Sequence, residues 1–199
     1  MKVYKIFAKN FGCNSYILTA DDETAVVIDC ANSQVYDKCL DYGLTPVAVL
    51  LTHGHFDHVG GCSKFDAEGV PIYCGENEKD FIFSEGNKTL FGGVFIPPFK
   101  ISGVFEDGQV VEFAGIRFKV INTPGHTEGS VCYLTEGCIF TGDTLFCEGA
   151  GRWDLPTGNE KKLRISLKRL FSIKGDIKVC PGHEEDTTIA YERANNPFK

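Results

Sequence analysis

Thr52-His53-Gly54-His55-Phe56-Asp57-His58 places three of the chain's five histidines, and an aspartate, within seven residues. The segment directly follows Val47-Ala48-Val49-Leu50-Leu51, an uninterrupted aliphatic run that reads as a strand buried on both faces. In an extended chain His53 and His55 point to the same side. Asp57 and His58 follow as the chain turns into a helix expected to begin near Val59 or Gly60. Imidazole nitrogen and carboxylate oxygen are the ligands that a borderline divalent ion such as zinc accepts. The other two histidines stand in Pro124-Gly125-His126 and Pro181-Gly182-His183, each after an expected strand and at a glycine-containing turn. All five therefore occupy strand-to-loop junctions, where side chains from separate strands converge at one edge of a sheet. With Asp57 and Asp143 they suffice for two ions that keep positions open for water. A set of separately hydrogen-bonded histidines is the alternative, and the clustered spacing favours metal.

Working outward, the early chain reads as strand, strand, strand, helix, strand. Val3–Phe7 alternates, and Ser15–Thr19 and Ala25–Asp29 flank Asp21-Asp22-Glu23 as a hairpin. Ser33 is placed to cap a helix carrying Tyr36, Cys39 and Leu40 on one face, with Gly43 as its stop. A similar unit returns late. Ser130–Thr135 and Cys138–Thr141 form a second hairpin across Glu136-Gly137, Leu163, Leu167, Leu170 and Phe171 mark an amphipathic helix, and Ile177–Cys180 is a last strand. In both halves the second hairpin strand runs out to an aspartate, Asp29 early and Asp143 late. The stretch from Phe81 to Phe118 is the least regular and holds eight of the sixteen phenylalanines. They either fill the core or wall a substrate pocket.

The 199 residues, 43% of them apolar, are expected to form one domain over residues 1–199 that holds its core without a disulfide scaffold. Twenty basic against 27 acidic residues, a net charge of −7, argue against a nucleic-acid partner. No apolar run is long enough to cross a bilayer, and the lysine-containing N-terminus has no apolar stretch of a signal peptide, so no membrane partner and a cytoplasmic location are expected. Nine cysteines without a C-x-x-C pair read mainly as small buried apolar residues in a reducing compartment. The oligomeric state is expected to be monomer or homodimer.

Taken together, Thr52–His58, Thr123-Pro124-Gly125-His126-Thr127, Thr141-Gly142-Asp143-Thr144-Leu145-Phe146 and Pro181-Gly182-His183 resemble, in order, the motifs of the metallo-β-lactamase-fold hydrolases. The resemblance implies an α/β fold, a four-layer αββα sandwich of two mixed sheets flanked by helices. It also implies that His53, His55 and His126 hold a first metal, that Asp57, His58 and His183 hold a second, and that Asp143 bridges them. Gly142–Phe146, Gly151-Arg152-Trp153-Asp154-Leu155-Pro156 and the ending Asp186-Thr187-Thr188-Ile189 with Asn196-Pro197-Phe198 are similar to the glyoxalase II (hydroxyacylglutathione hydrolase) group, in its short bacterial form without the C-terminal helical domain. That group hydrolyses S-lactoylglutathione. Arg152 matches a basic residue that contacts glutathione there, whereas Asp154 stands where a tyrosine would follow. A cysteine replaces Asp143 in β-lactamases of the best-known subclass.

The implied activity is metal-dependent hydrolysis of a small-molecule acyl-thiol. Two divalent ions, zinc first with iron or manganese as alternatives, can hold a hydroxide between them, and Asp57 can orient or accept its proton. Arg152 is a candidate grip for a substrate carboxylate, or else a surface ion pair; Trp153 lines the pocket or packs. Thr52, Thr127 and Thr144 stand beside ligands and either orient them or serve as ordinary strand-end residues. Two other readings remain at this point. One is a persulfide dioxygenase with a single iron on His53, His55 and His126, or a subset with Asp143. The other is a metal-bound module without turnover.

Overall fold

The computed structural model describes residues 1–90 and 95–199. β1 (Lys2–Ala8), β2 (Cys13–Thr19), β3 (Thr24–Ile28), β4 (Thr45–Leu50), β5 (Ile72–Gly75) and β6 (Gly103–Phe105) form one sheet in that order. β1–β2 and β2–β3 pair antiparallel, and the remaining neighbours are parallel. β7 (Val110–Phe113), β8 (Ile116–Asn122), β9 (Val131–Thr135), β10 (Cys138–Gly142), β11 (Lys178–Pro181) and β12 (Thr187–Thr188) form the second sheet, again in sequence order. Only β10–β11 is parallel there.

Successive residues of the central strands alternate between two cores, which is why their sequences are apolar throughout. In β2 to β4, Tyr16, Leu18, Val26, Ile28, Ala48 and Leu50 face the other sheet, where they meet Phe118, Val120, Tyr133 and Phe140. Ile17, Ala25, Val27 and Val49 face outward onto Val35 and Cys39 of α1 (Gln34–Asp41) and onto Val59, Cys62 and Phe65. The last three belong to α2 (Phe56–Val59) and α3 (Cys62–Ala67). Beyond the short α4 (Lys79–Ile82) and α5 (Glu85–Lys88), the second sheet buries Ile121, Cys132, Ile139 and Val179. These residues meet Leu163, Leu167 and Leu170 of α6 (Glu160–Phe171) and Ile189 of α7 (Ile189–Asn195). Three stacked cores make four layers, the expected αββα sandwich.

The suspected echo between the halves is a repeat of topology. β2–β3 is an antiparallel pair followed by α1 and then β4, parallel to β3; β9–β10 is followed by α6 and then β11, parallel to β10. The strand ends face each other across the sandwich and are stitched together. Val131 N donates to Thr52 O at 2.9 Å, Asn14 N to Gly182 O at 2.7 Å, and the Tyr16 hydroxyl to Pro181 O at 2.7 Å. Crevices beyond the carboxyl ends of parallel strands are where this class of sheet exposes backbone and loop side chains.

Several local expectations change. The histidine helix begins at Phe56, three residues earlier than Val59, because His55 stays extended as its N-cap and His58 N already donates to His55 O. Ser33 sits at the N-cap of α1 without a side-chain bond; the Asn32 carboxamide oxygen accepts from Gln34 N instead. Leu40 is 54% exposed, and Val35 takes its place on the buried face. In the phenylalanine-rich middle, Phe81, Phe99, Phe105 and Phe118 are buried, while Phe95 is exposed; Phe91 lies outside the described residues. Eight of the nine cysteines are buried, as small apolar residues would be. Among the described residues, no helix is long and apolar enough to cross a membrane.

Candidate metal centre

β4 delivers His53-Gly54-His55, α2 delivers Asp57 and His58, the turn after β8 delivers His126, and the ends of β10 and β11 deliver Asp143 and His183. The structure thus gathers all seven residues that the resemblance implies as ligands. Their donor atoms form overlapping groups, each within 4.8 Å: His53, His55 and His126; His53, His58 and Asp143; Asp57, His58 and His183 with Cys13. Such proximity requires glycine at position 182, where a Cβ would lie 2.2 Å from Asp143 Oδ1 and 2.7 Å from the His58 ring.

Each ring has a defined orientation. His126 Nδ1 donates to Arg152 O (2.7 Å), His183 Nδ1 to Gly12 O (2.8 Å), and His58 Nδ1 to Asp29 Oδ2 (2.8 Å). His53 Nδ1 lies 3.2 Å from Thr52 Oγ1, whose own proton is directed to Asp29 Oδ2 at 2.7 Å. In these four rings Nδ1 is held by the protein and Nε2 is left for the centre, the arrangement that fixes the tautomer of a metal-binding histidine. His55 is reversed: its Nδ1 approaches His126 Nε2 to 2.8 Å. His53 Nε2, His55 Nε2 and Asp143 Oδ1 are buried without a hydrogen-bond partner among the described residues, a costly condition that a cation relieves where it can reach the atom. The Asp143 carboxylate spans both groups, with Oδ1 3.3 Å from His58 Nε2 and Oδ2 3.5 Å and 3.4 Å from His126 Nε2 and His183 Nε2. The donor set fits two divalent ions.

Electrostatics divides the two groups. Burial lowers the basicity of His53, His55 (to about 3) and His126, so these rings stay neutral, ready to donate lone pairs. For His183, burial is outweighed by hydrogen bonds to Asp143 and Asp57, which raise its pKa to about 10. In His58 burial is likewise outweighed, by Cys13, Asp143, Asp29 and Asp57, and the pKa rises. Burial of Asp57 and Asp143 is countered chiefly by His58 and His183, and both carboxyls are held below their ordinary range. Without ions, this group therefore stores protons. Loading a divalent ion onto Asp57, His58 and His183 near neutral pH is expected to release protons, and affinity there to rise with pH. Loading the three-histidine group is expected to release almost none. Dye-detected proton release during stepwise zinc addition checks this; equal release for both equivalents would refute it.

Of the three threonines, Thr52 contacts a candidate ligand. Thr127 donates to Glu78 Oε2 (2.8 Å), and Thr144 to Thr123 Oγ1 (3.0 Å), so neither hydroxyl bonds a histidine or aspartate of the centre. Arg152 makes two bonds of 2.7 Å to Asp154, the surface ion pair, and still borders the cavity. Trp153 packs edge-on against Phe198. The cavity over the donors measures 520 Å³, and Phe11, Phe56, Phe146 and Leu155 supply apolar wall. Among the described residues, no phenylalanine from Phe81 to Phe118 lines it, although Phe81 packs edge-on against the His55 ring. A cleft of similar size, 550 Å³, between Met1, Arg117, Lys119 and Glu136 carries no histidine or aspartate.

Sequence reasoning missed three supports. Asp29 holds Thr52 and His58, and its equivalence to Asp143 in the topological repeat was the available signal. Cys13 places its thiol 3.6 Å from His58 Nε2, and Glu78 is fully buried inside the acidic-looking run Glu76–Asp80. Neither carries a local pattern that marks it.

A family profile described as the metallo-beta-lactamase superfamily matches residues 8–183. The chain is 33% identical to the hydroxyacylglutathione hydrolase GloC of Haemophilus influenzae, over 94% of this chain and 93% of that protein. Among solved structures it is similar to the BLEG-1 B3 metallo-beta-lactamase, with a TM-score of 0.90 and 30% identity over 99% of both chains. It is also similar to TTHA1623 in a di-iron-bound form, with a TM-score of 0.85 and 30% identity over 98% of this chain and 100% of that one. Fold, donor set and profile agree, and the chain belongs to the metallo-beta-lactamase superfamily.

Proposed function

We propose that this protein is a binuclear metallohydrolase that cleaves a small acyl-thiol, a thioester of the S-lactoylglutathione type. The observation that carries the proposal is the pair of donor groups joined by one carboxylate beneath an apolar-walled cavity. His53, His55 and His126 would hold the first ion, Asp57, His58 and His183 the second, and Asp143 both. Zinc suits these nitrogen and oxygen donors, as do iron and manganese. Bound there, the ions would supply Lewis acidity and a water acidic enough to ionise near neutral pH.

The chain's own contribution is orientation and proton handling. Asp57 Oδ2 lies 3.2 Å from His183 Nε2 at the cavity edge, where it can accept a proton from an attacking water. A thiolate leaving group, with a pKa near ~8.5, needs no strong general acid, which suits a site whose histidines are all engaged as donors. Phe11, Phe56 and Leu155 would exclude water from the acyl chain and thiol carrier. Arg152, beside the cavity, would meet an anionic carrier if its bond to Asp154 yields; Trp153 would act through packing. The similarity to GloC supports a glutathione thioester. The same reading takes the protein to work in the cytoplasm as a monomer or homodimer, without nucleic acid or membrane.

One other reading is a persulfide dioxygenase with a single iron on His53, His55 and His126; the di-iron-bound neighbour supports iron as a metal for these donors and not that count. A substrate panel separates them. Zinc-loaded protein is expected to release free thiol from S-lactoylglutathione with kcat/KM on the order of 10⁴ M⁻¹ s⁻¹ or more, and to act far more slowly on a β-lactam. Oxygen uptake with glutathione persulfide, with about one iron per chain and no thioester cleavage, would overturn the hydrolase reading.

A further inference from the structure

Glu78 ends a turn of 3-10 helix, Glu76–Glu78, directly after β5, and its side chain is fully buried. Among the described residues no lysine, arginine or histidine lies within ion-pair distance of it. A buried carboxylate without a cation is expensive unless directional hydrogen bonds satisfy it. Here they do. Oε1 accepts from Gly54 N at 2.7 Å, and Oε2 accepts from Thr127 Oγ1 at 2.8 Å, with the Gly129 amide as a further donor.

The identity of these donors matters. Gly54 lies between His53 and His55 on the loop leaving the first sheet, and Thr127 follows His126 on the loop leaving the second. One carboxylate therefore spans the two loops that carry the three-histidine group, and it is not among the residues that line the cavity. Both loops are cut to admit it. A Cβ at Gly54 would lie 3.1 Å from Glu78 Oε1 and 2.5 Å from Ile82 Cγ1. A Cβ at Gly129 would lie 2.2 Å from Glu78 N and 2.5 Å from Oε2. Asn87 reinforces the same loop by donating from its carboxamide to Gly54 O at 2.7 Å. An apolar side chain at position 78 would fill the space without fixing the separation of the loops.

We propose that Glu78 is a positioning residue for the first metal: its carboxylate sets the distance between His53-Gly54-His55 and His126, and so the affinity and geometry of the three-histidine group. The inference rests on the bimetallic reading above and adds to it a residue that touches neither ion nor substrate. In Glu78→Gln at least one end of the carboxamide offers N–H where Gly54, Thr127 or Gly129 also offers a proton, so one strap is lost while side-chain volume is kept.

The test measures the first site by itself. His58→Ala removes a donor of the second site, and in that background Co²⁺ affinity is read by chelator competition, with the visible spectrum of the bound ion. Adding Glu78→Gln is expected to weaken Co²⁺ binding roughly 10–100-fold and to change its spectrum, while the melting temperature of the metal-free protein moves little by comparison. Thr127→Val, which removes one donor and leaves the carboxylate, is expected to move affinity the same way by less, and serves should the glutamine variant fail to fold. Lower melting temperature with unchanged Co²⁺ affinity and spectrum would make Glu78 an ordinary core group and overturn the inference with the bimetallic reading intact. No Co²⁺ binding in the His58→Ala background would overturn the bimetallic reading, and the inference with it.

Discussion

His58→Ala is expected to leave about one metal equivalent per chain and to reduce kcat/KM for the preferred thioester by about 10³-fold. His58 is fully buried on the four-residue α2, with Nδ1 on Asp29 and Nε2 3.3 Å from Asp143. Alanine removes an imidazole from the Asp57–His183 group; the Cys13 thiol stands beside the gap, but burial raises its pKa to about 12 and leaves it a protonated, poor donor. An ion's contribution to stabilising transition-state charge is worth several kcal/mol, and each 1.4 kcal/mol is a factor of ten. The loss should fall on kcat more than on KM, since the apolar walls Phe11, Phe146 and Leu155 are untouched. Elemental mass spectrometry with steady-state kinetics checks both halves. Full metal content with unchanged turnover would reject two-ion catalysis.

Asp29→Asn is expected to weaken the second metal equivalent by roughly 10–100-fold and to lower unfolding free energy by about 1–3 kcal/mol. Asp29 receives three protons, from Thr52 N (2.7 Å), Thr52 Oγ1 (2.7 Å) and His58 Nδ1 (2.8 Å). Its φ of +54° lies in the left-handed region, which asparagine also tolerates, so the backbone is expected to survive the exchange. The carboxamide nevertheless turns an N–H toward either His58 or Thr52, and one buried donor loses its acceptor. With His58 no longer anchored through Nδ1, its tautomer and tilt relax. Chelator competition and urea denaturation measure the two effects; unchanged affinity would show that His58 is held by packing alone.

The donors were legible in the sequence because they are local: three histidines and Asp57 in one loop, and two copies of Pro-Gly-His. The layers were legible because Val26, Val27, Ile28 and Ala48, Val49, Leu50 are apolar without alternation, which only a strand covered on both faces tolerates. Supports at long range were not. Asp29 meets His58 across 29 positions, Glu78 meets Thr127 across 49, and Gly12 O meets His183 across 171. Such pairings are created by stacking the two sheets, and no spacing rule anticipates them. The helix start was misjudged for a similar reason: Phe56 and Asp57 begin a turn whose cap, His55, has no helix-capping side chain.

The donors sit at strand ends and on one short helix, whereas most of the apolar wall comes from elsewhere: Phe11 between β1 and β2, Phe146 after β10, Leu155 before α6. Retention of the ions and choice of guest molecule are thus written into different stretches of chain. Replacing Leu155 is expected to reshape the space above the centre without touching a residue that anchors an imidazole, so a chain built this way can change its guest while the donor set stays as it was.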